Sequence, residues 1–269
     1  MRHLPSILCA LLAYLPVHNC AQDVPDAIPL GKPAKSYNLI CELPDVLISP
    51  QAEQIGATWN NGQVWDKPVI NAFYQLLKKK NGHFVVLDVG AQTGCFTLLS
   101  KYFPDSEWYA FEPIQEAVDV LNLHLNLNAI RNVSVHQLAI SDRKGSALLK
   151  LPADHHWGLT TLGAAPLRFH DFQTRPVECI DLDTFLSTYK VDKVDFIKID
   201  TEGWELFVLR GAKAMIARDM PTILLEFNQI NMEQCQVHPE DVLKLLEEFG
   251  YKHILLSSED LLCTPKQPT

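Results

Sequence analysis

The stretch VVLDVGAQTGCFTLL, residues 85–99, runs from a hydrophobic segment into an aspartate, then through two glycines four residues apart, and out into a second hydrophobic segment. Residues 84–89 have the composition of a buried strand. Gly90 and Gly94 allow a tight turn or a close approach of backbone to a ligand. Residues 95–103 then read as a helix stopped by Pro104. Such a strand, loop and helix is either a structural turn or a cradle, and the flanking sequence has to separate the two.

Downstream the pattern alternates. Strands are expected at 107–111, 133–140, 194–199 and 222–227, and helices at 113–127, 180–189, 205–217 and 240–249. In the helix over 113–127, Val118, Leu121 and Leu125 share one face. The turn SDRKG leads into a less regular stretch to about residue 175, read as a hairpin with loops, and residues 251–256 and 261–263 form a closing hairpin. Alternation at this spacing means βαβ units, hence an α/β fold with a mostly parallel sheet and helices on both faces. Such sheets bind ligands beyond the carboxyl ends of their strands.

Upstream, Asp66 is placed to cap a helix with Pro68 in its first turn, an apolar face of Val69, Ile70, Phe73, Leu76 and Leu77, and an end at Asn81-Gly82. Residues 22–65 are Pro-rich without clear periodicity and read as an irregular arm and partial lid, with Trp59 and Trp65 as packing residues. Residues 1–21 combine Arg2 and His3 with an apolar run over 4–17, which reads either as a secretory signal or as the leader of a cytosolic protein. The expected organisation is leader 1–21, arm and helix 22–82, α/β domain 83–263 and tail 264–269.

The net charge of −9, from 32 acids against 23 Lys and Arg, argues against a non-specific nucleic-acid surface. The seven cysteines are scattered with no C-x-x-C pair, which excludes a zinc framework and a dense disulfide scaffold. Cys95, inside the glycine segment, has no fixed histidine partner and reads as a packing residue.

Glu112 follows the second strand, 24 residues beyond Asp88. An acid at that point can grip a ribose hydroxyl pair, because a carboxylate accepts two hydrogen bonds. The loop is neither G-x-G-x-x-G nor a P-loop, and Asp88 at its mouth would repel a pyrophosphate. The combination favours S-adenosylmethionine, a cationic ligand, over NAD or ATP.

The blocks VVLDVGAQTG, YAFEP, LAISDRKG, FIKIDTEGWELFVLRGA and ILLEF, in this order, resemble the FkbM-type family of class I S-adenosylmethionine-dependent methyltransferases over residues 60–256. The resemblance implies a Rossmann-like, seven-stranded sheet with its last strand antiparallel, and O-methylation of a hydroxyl on a natural product, small molecule or glycan. By that likeness Asp88, Gly90, Ala91, Gln92, Gly94 and Glu112 match cofactor-binding positions. No acid stands in Gln137-Leu138-Ala139, so adenine is left to backbone groups near Ala139 or to Asp142.

In FIKIDTEGWE, Lys198 lies inside an apolar strand with Asp200 two positions on, hence on the same face. Glu202 falls in the following turn, which Gly203 lets tighten, and Glu226 closes the next strand. Lone buried charges are costly, so the four are expected to face one another. They are either a catalytic group or an ion-pair network joining two strand ends. Asp200 or Glu202 is the candidate to orient or deprotonate the acceptor hydroxyl, and Lys198 a candidate base or a support for the carboxylates. The preferred reading has no metal; the alternative uses Asp200, Glu226 and Asn228 as hard oxygen ligands to a divalent cation. In DHHWGLTTLG, residues 154–163, the candidate substrate contacts are His156, Trp157 and Thr160, with His155 read as a hairpin tip and Trp204 as packing. The rival functions are aminopropyl transfer on the same cofactor and a non-catalytic cofactor-binding module.

Overall fold

A computed structural model of the chain describes residues 33–266 except 42, 53–58, 61, 62, 65, 154–156 and 165. The expectations for the leader, for residues 22–32 and 53–58 of the arm, and for Trp65, His155 and His156 lie outside the described residues. Among the described residues no helix is long and apolar enough to cross a membrane.

In chain order, two short antiparallel pairs come first, β1 (Lys35–Tyr37) with β2 (Val46–Ile48) and β3 (Trp59–Asn60) with β4 (Gln63–Val64), followed by α1 (Lys67–Lys78). Then come β5 (Val85–Val89), a 3-10 segment over Thr97–Tyr102, β6 (Glu107–Phe111), α2 (Gln115–Leu127), β7 (Val133–His136), β8 (Ala139–Ile140) and β9 (Gly145–Pro152). A second 3-10 turn, Trp157–Leu159, precedes β10 (Phe172–Ile180), α3 (Leu182–Tyr189), β11 (Phe196–Ile199), α4 (Glu205–Arg210) and α5 (Lys213–Asp219). The last elements are β12 (Thr222–Glu226), α6 (Gln229–Gln234), α7 (Pro239–Glu248), β13 (Tyr251–Leu255) and β14 (Asp260–Pro265).

The main sheet has seven strands in the order β13-β14-β12-β11-β5-β6-β7. The pairings from β12 through β7 are parallel, and β14 runs antiparallel to both its neighbours. This is the α/β architecture expected. Strand order reverses beside β5, so the β5–β11 junction is the switch point where such sheets open a crevice.

Alternation along the central strands sorts their residues between two cores. Val85, Leu87, Val89, Ile197, Ile199, Ile223 and Leu225 face one, with α3, α4 and α7 residues. Val86, Trp108, Ala110, Phe196 and Leu224 face the other, with α1 and the β1–β2 hairpin. Asp88 and Lys198 share that second parity and are paired in register across β5 and β11. Two ionisable side chains thus sit on an otherwise apolar face.

Several expectations change. Residues 35–48 are not irregular: they form a hairpin whose Tyr37, Val46 and Ile48 enter the core, with Asp45 accepting hydrogen bonds from Ser36 and Asn38. Asp66 does stand at the start of α1, but with φ 57 and no side-chain capping bond. The stretch over 133–140 splits, because the carbonyl of His136 accepts from both Glu112 and Leu138 and turns the chain out of the sheet. The helix over 205–217 breaks at Gly211, whose Cα is pressed against the Ser141 carbonyl so that a Cβ would lie 2.0 Å from that oxygen. The helix after Gly94 tightens to a 3-10 segment between that glycine and Pro104. The five cysteines among the described residues are free, four of them buried.

Gly90 has φ +79, and a Cβ there would lie 1.7 Å from the Asp200 carbonyl oxygen. Gly90→Ala should therefore abolish folding or cost more than about 4 kcal/mol in urea unfolding. Gly82→Ala, at φ +74 with no atom within 4 Å, should cost only about 1–2 kcal/mol. Lys198→Met, which strands the buried Asp88 carboxylate, should cost about 3–5 kcal/mol, and adding Asp88→Asn should restore at least about 1 kcal/mol of it.

Candidate functional site

A cavity of about 610 Å³ opens beyond the carboxyl ends of β5, β6, β11 and β12. Its first wall is the turn after β5. Gly90 and Ala91 donate their N–H groups to the Phe111 carbonyl, tying the turn to the end of β6. Gln92 takes a left-handed conformation, φ 50, and donates its N–H to Glu112 Oε2 at 2.9 Å. The N–H of Ile114 donates to Glu112 Oε1, also at 2.9 Å. Glu112 is thereby aimed along the cavity wall, and burial pushes its carboxyl up to about 7 despite the two N–H donors. Leu138, Ala139, Ile140, Ile114 and Trp157 form an apolar border next to it.

Gly94 and Asp88 lie behind this wall. A Cβ on Gly94 would meet Leu121 Cδ1 at 2.4 Å, so that glycine lets α2 pack against the turn. Asp88 is 1% exposed, accepts a hydrogen bond from the Thr97 hydroxyl at 2.5 Å and lies 3.7 Å from Lys198 Nζ. It stands beneath the loop rather than at its mouth, with its charge already matched by Lys198. Asp142 does not line the cavity; its carboxylate lies near Ser141 Oγ and Arg143.

The opposite wall is built from the strand ends. Lys198 Nζ donates to the Gly90 carbonyl at 3.1 Å, lies 3.2 Å from Asp200 Oδ2 and sits 5.1 Å from the Phe96 ring centroid. Burial alone would lower its pKa, but the carboxylates of Asp200 and Asp88 override this and hold the ammonium above its ordinary range. A lysine so held fits the expected support for the carboxylates better than the role of a base.

The turn after β11 is held from inside. Glu205 is buried, and its Oε1 accepts from the N–H of Thr201, the hydroxyl of Thr201 and the N–H of Gly203. Glu202 has φ 54, and its carbonyl accepts from Thr161 Oγ1 at 2.8 Å and Gln234 Nε2 at 2.9 Å. Gly203 packs so tightly on α6 that a Cβ would lie 1.9 Å from the Asn231 carbonyl oxygen. These contacts present the Glu202 side chain to Asp200 and Glu226, with one oxygen from each carboxylate within 4.8 Å of the others. Burial first, and then their neighbours' charges, push Glu202 and Glu226 well above the usual carboxylate range.

Of the expected contacts, Gly90, Ala91, Gln92, Glu112, Ala139, Lys198, Asp200, Glu202 and Glu226 line the cavity, as do Trp157 and Thr160. Trp204 packs against the core as expected and also lines the cavity; its Nε1 donates to Ser141 Oγ at 3.1 Å and its ring stacks on Phe207. Sequence reasoning missed Asp66, Arg168, Glu259 and Asp260 on the wall, and Asn231 behind it. Only Asn231 had a local signal, the Asn228-x-x-Asn231 pattern of a helix N-cap. Among the described residues, seven acidic side chains (Asp66, Glu112, Asp200, Glu202, Glu226, Glu259 and Asp260) line the cavity against the cations Lys198 and Arg168. The cavity thus suits a cationic ligand with vicinal hydroxyls and a flat apolar end, and disfavours a phosphate.

A family model, the methyltransferase FkbM domain, matches residues 88–253. Methyltransferase sdnD of Sordaria araneosa is 29% identical over 205 residues, 66% of this chain and 77% of that protein. The crystal structure of methyltransferase FkbM from Methylobacillus flagellatus KT overlays with a TM-score of 0.43 at 18% identity, over 67% of this chain and 43% of its own, so the chain spans less than half that protein's length. The ribosomal protein L11 methylase from Lactobacillus delbrueckii subsp. bulgaricus overlays at a TM-score of 0.46 and 11% identity, over 87% and 99% of the two chains. With the matched region running from Asp88 in the glycine turn to His253 in β13, the chain belongs to the FkbM-type family of class I S-adenosylmethionine-dependent methyltransferases.

Proposed function

We propose that the protein transfers a methyl group from S-adenosylmethionine to a hydroxyl oxygen on a small molecule, natural product or glycan. The observation that carries this reading is a single cavity with two unlike halves. The glycine turn and Glu112 form one, and the cluster of Asp200, Glu202 and Glu226 the other.

The residues of the first half fit the donor. Glu112 offers its remaining lone pairs to a ribose hydroxyl pair, and Trp157 with the Leu138–Ala139 edge gives an apolar seat for a flat ring. Bound there, S-adenosylmethionine supplies an electrophilic methyl group on a cationic sulfur. The second half handles the acceptor. A carboxylate of the cluster, Asp200 or Glu202, accepts the acceptor's O–H hydrogen bond, orients its lone pair toward the methyl carbon and takes the proton as the new C–O bond forms. The methyl–sulfur bond breaks, its electron pair stays on sulfur, and S-adenosylhomocysteine leaves. Lys198 holds Asp200 and the Gly90 carbonyl together, so the two halves keep a fixed separation. Thr160 and Arg168, which line the same cavity, are assigned to the acceptor.

Hydroxyl donors favour the ionised form of Glu112, whose carboxyl titrates at about 7 in the ligand-free protein. Affinity for S-adenosylhomocysteine should therefore rise about tenfold from pH 6 to pH 8 in calorimetry, with proton release on binding. Glu112→Gln should bind about 10–100-fold more weakly at pH 8 and lose this pH dependence.

Incubation with methyl-labelled donor and fractionated cell extract should place the label in a base-stable ether. A base-labile ester, an N-methyl product or no transfer would count against a hydroxyl acceptor. With that acceptor, Asp200→Asn and Glu202→Gln should each lower turnover by about a hundredfold or more.

A further inference from the structure

We propose that Asp200, Glu202 and Glu226 form a divalent-cation site at the carboxyl ends of β11 and β12, where the cation holds the acceptor oxygen. One oxygen from each carboxylate lies within 4.8 Å of the other two. Oxygens bound at about 2.3–2.6 Å to one calcium-sized cation stand at most about 5 Å apart, so the three close on an ion with side-chain adjustment alone.

The carboxylates are gripped from outside. Asn231, fully buried, donates its amide to Glu202 Oε2 at 2.6 Å and to Glu226 Oε1 at 2.9 Å. Lys198 holds Asp200 Oδ2 at 3.2 Å. Hydrogen bonds of this kind orient ligating carboxylates in metal sites. Glu226 lines the cavity, and its Oε2 is enclosed with no hydrogen-bond partner among the described residues. Leaving a buried carboxylate oxygen without a donor is costly, and a cation bound among the three groups satisfies it.

The charge balance points the same way. Arg168, 3.4 Å from Glu202 Oε2, is the guanidinium that meets the cluster, and it does so from the rim. Lys198 meets only Asp200 of the three, so three acidic side chains share one rim guanidinium and one ammonium that Asp88 also draws on. Asn228 is not a ligand: its Oδ1 accepts the N–H groups of Ile230 and Asn231 as the cap of α6, and Glu202 takes the third position. An all-oxygen donor set selects Mg²⁺, Ca²⁺ or Mn²⁺ over zinc. The open side faces the cavity, leaving positions for water and for the acceptor's oxygen. That last role rests on the methyltransferase reading, whereas cation binding itself does not.

The test is Mn²⁺ titrated into the full chain, followed by the electron paramagnetic resonance signal of the free ion. One saturable site is expected, displaced by Mg²⁺ or Ca²⁺. Glu226→Gln and Glu202→Gln, each checked for folding by circular dichroism, should bind at least about tenfold more weakly. Glu233→Gln, at an exposed position of α6, should bind like the wild type. Absence of saturable Mn²⁺ binding in the wild type, or wild-type affinity in either folded cluster variant, would overturn the site. Calorimetry with S-adenosylhomocysteine on the same samples keeps the two readings apart. Product binding without Mn²⁺ binding removes the cation alone; Mn²⁺ binding without product binding supports the cation site and removes the donor assignment.

Discussion

The structure turns on one buried ammonium. Lys198 projects from β11 into the apolar face it shares with β5, against the ring of Phe96, and holds Asp88, Asp200 and the Gly90 carbonyl at once. Burying a charge in that position is unfavourable unless every partner is in place. The register of β5 against β11 and the path of the glycine turn are therefore constrained together. A slip of one residue in either strand would move the lysine to the opposite face and leave Asp88 without its cation.

From this pin the cavity divides naturally. Strand parity puts Asp88, Lys198, Asp200 and Glu226 on one sheet face, with the last two beyond the apolar part of their strands. The turn on one side carries only neutral backbone and Glu112; the turn on the other concentrates acid. Two left-handed residues that are not glycine, Gln92 and Glu202, sit at matching places in these turns. Each is held by hydrogen bonds to its own N–H or carbonyl, so backbone that would cost energy in isolation is stabilised where these residues line the cavity.

Much of this was legible in the chain. The sheet followed from alternating strand and helix patterns, and the acid cluster from charged residues placed where strands should be apolar. Lys198 and Glu226 stood out for that reason. What escaped were contacts between distant segments. Asp66 reads locally as a helix cap, and only the tertiary arrangement shows its carboxyl in the cavity, pushed up to about 7 by burial and by Asp260. Asp88 was legible as important but not as to side: spacing cannot tell the mouth of a loop from its underside. The β1–β2 hairpin was missed because three-residue strands carry too little alternation to register. The break at Gly211 was missed because its cause, the Ser141 carbonyl, lies 70 residues earlier in the chain.

The antiparallel strand β14 has a consequence for the order in which the molecule is made. It wedges between β12 and β13, pairs Asp260 with Glu226 and brings Glu259 to the cavity wall. A growing chain can assemble β5, β6, β7, β11 and β12 as each parallel unit leaves the ribosome. Glu226 then remains on an open sheet edge until residues some 34 positions later have emerged. Closure of the site therefore waits on β14, the last strand to leave the ribosome. Until then the nascent chain carries an exposed β12 edge ending in an acidic side chain, a feature that discourages pairing with another chain.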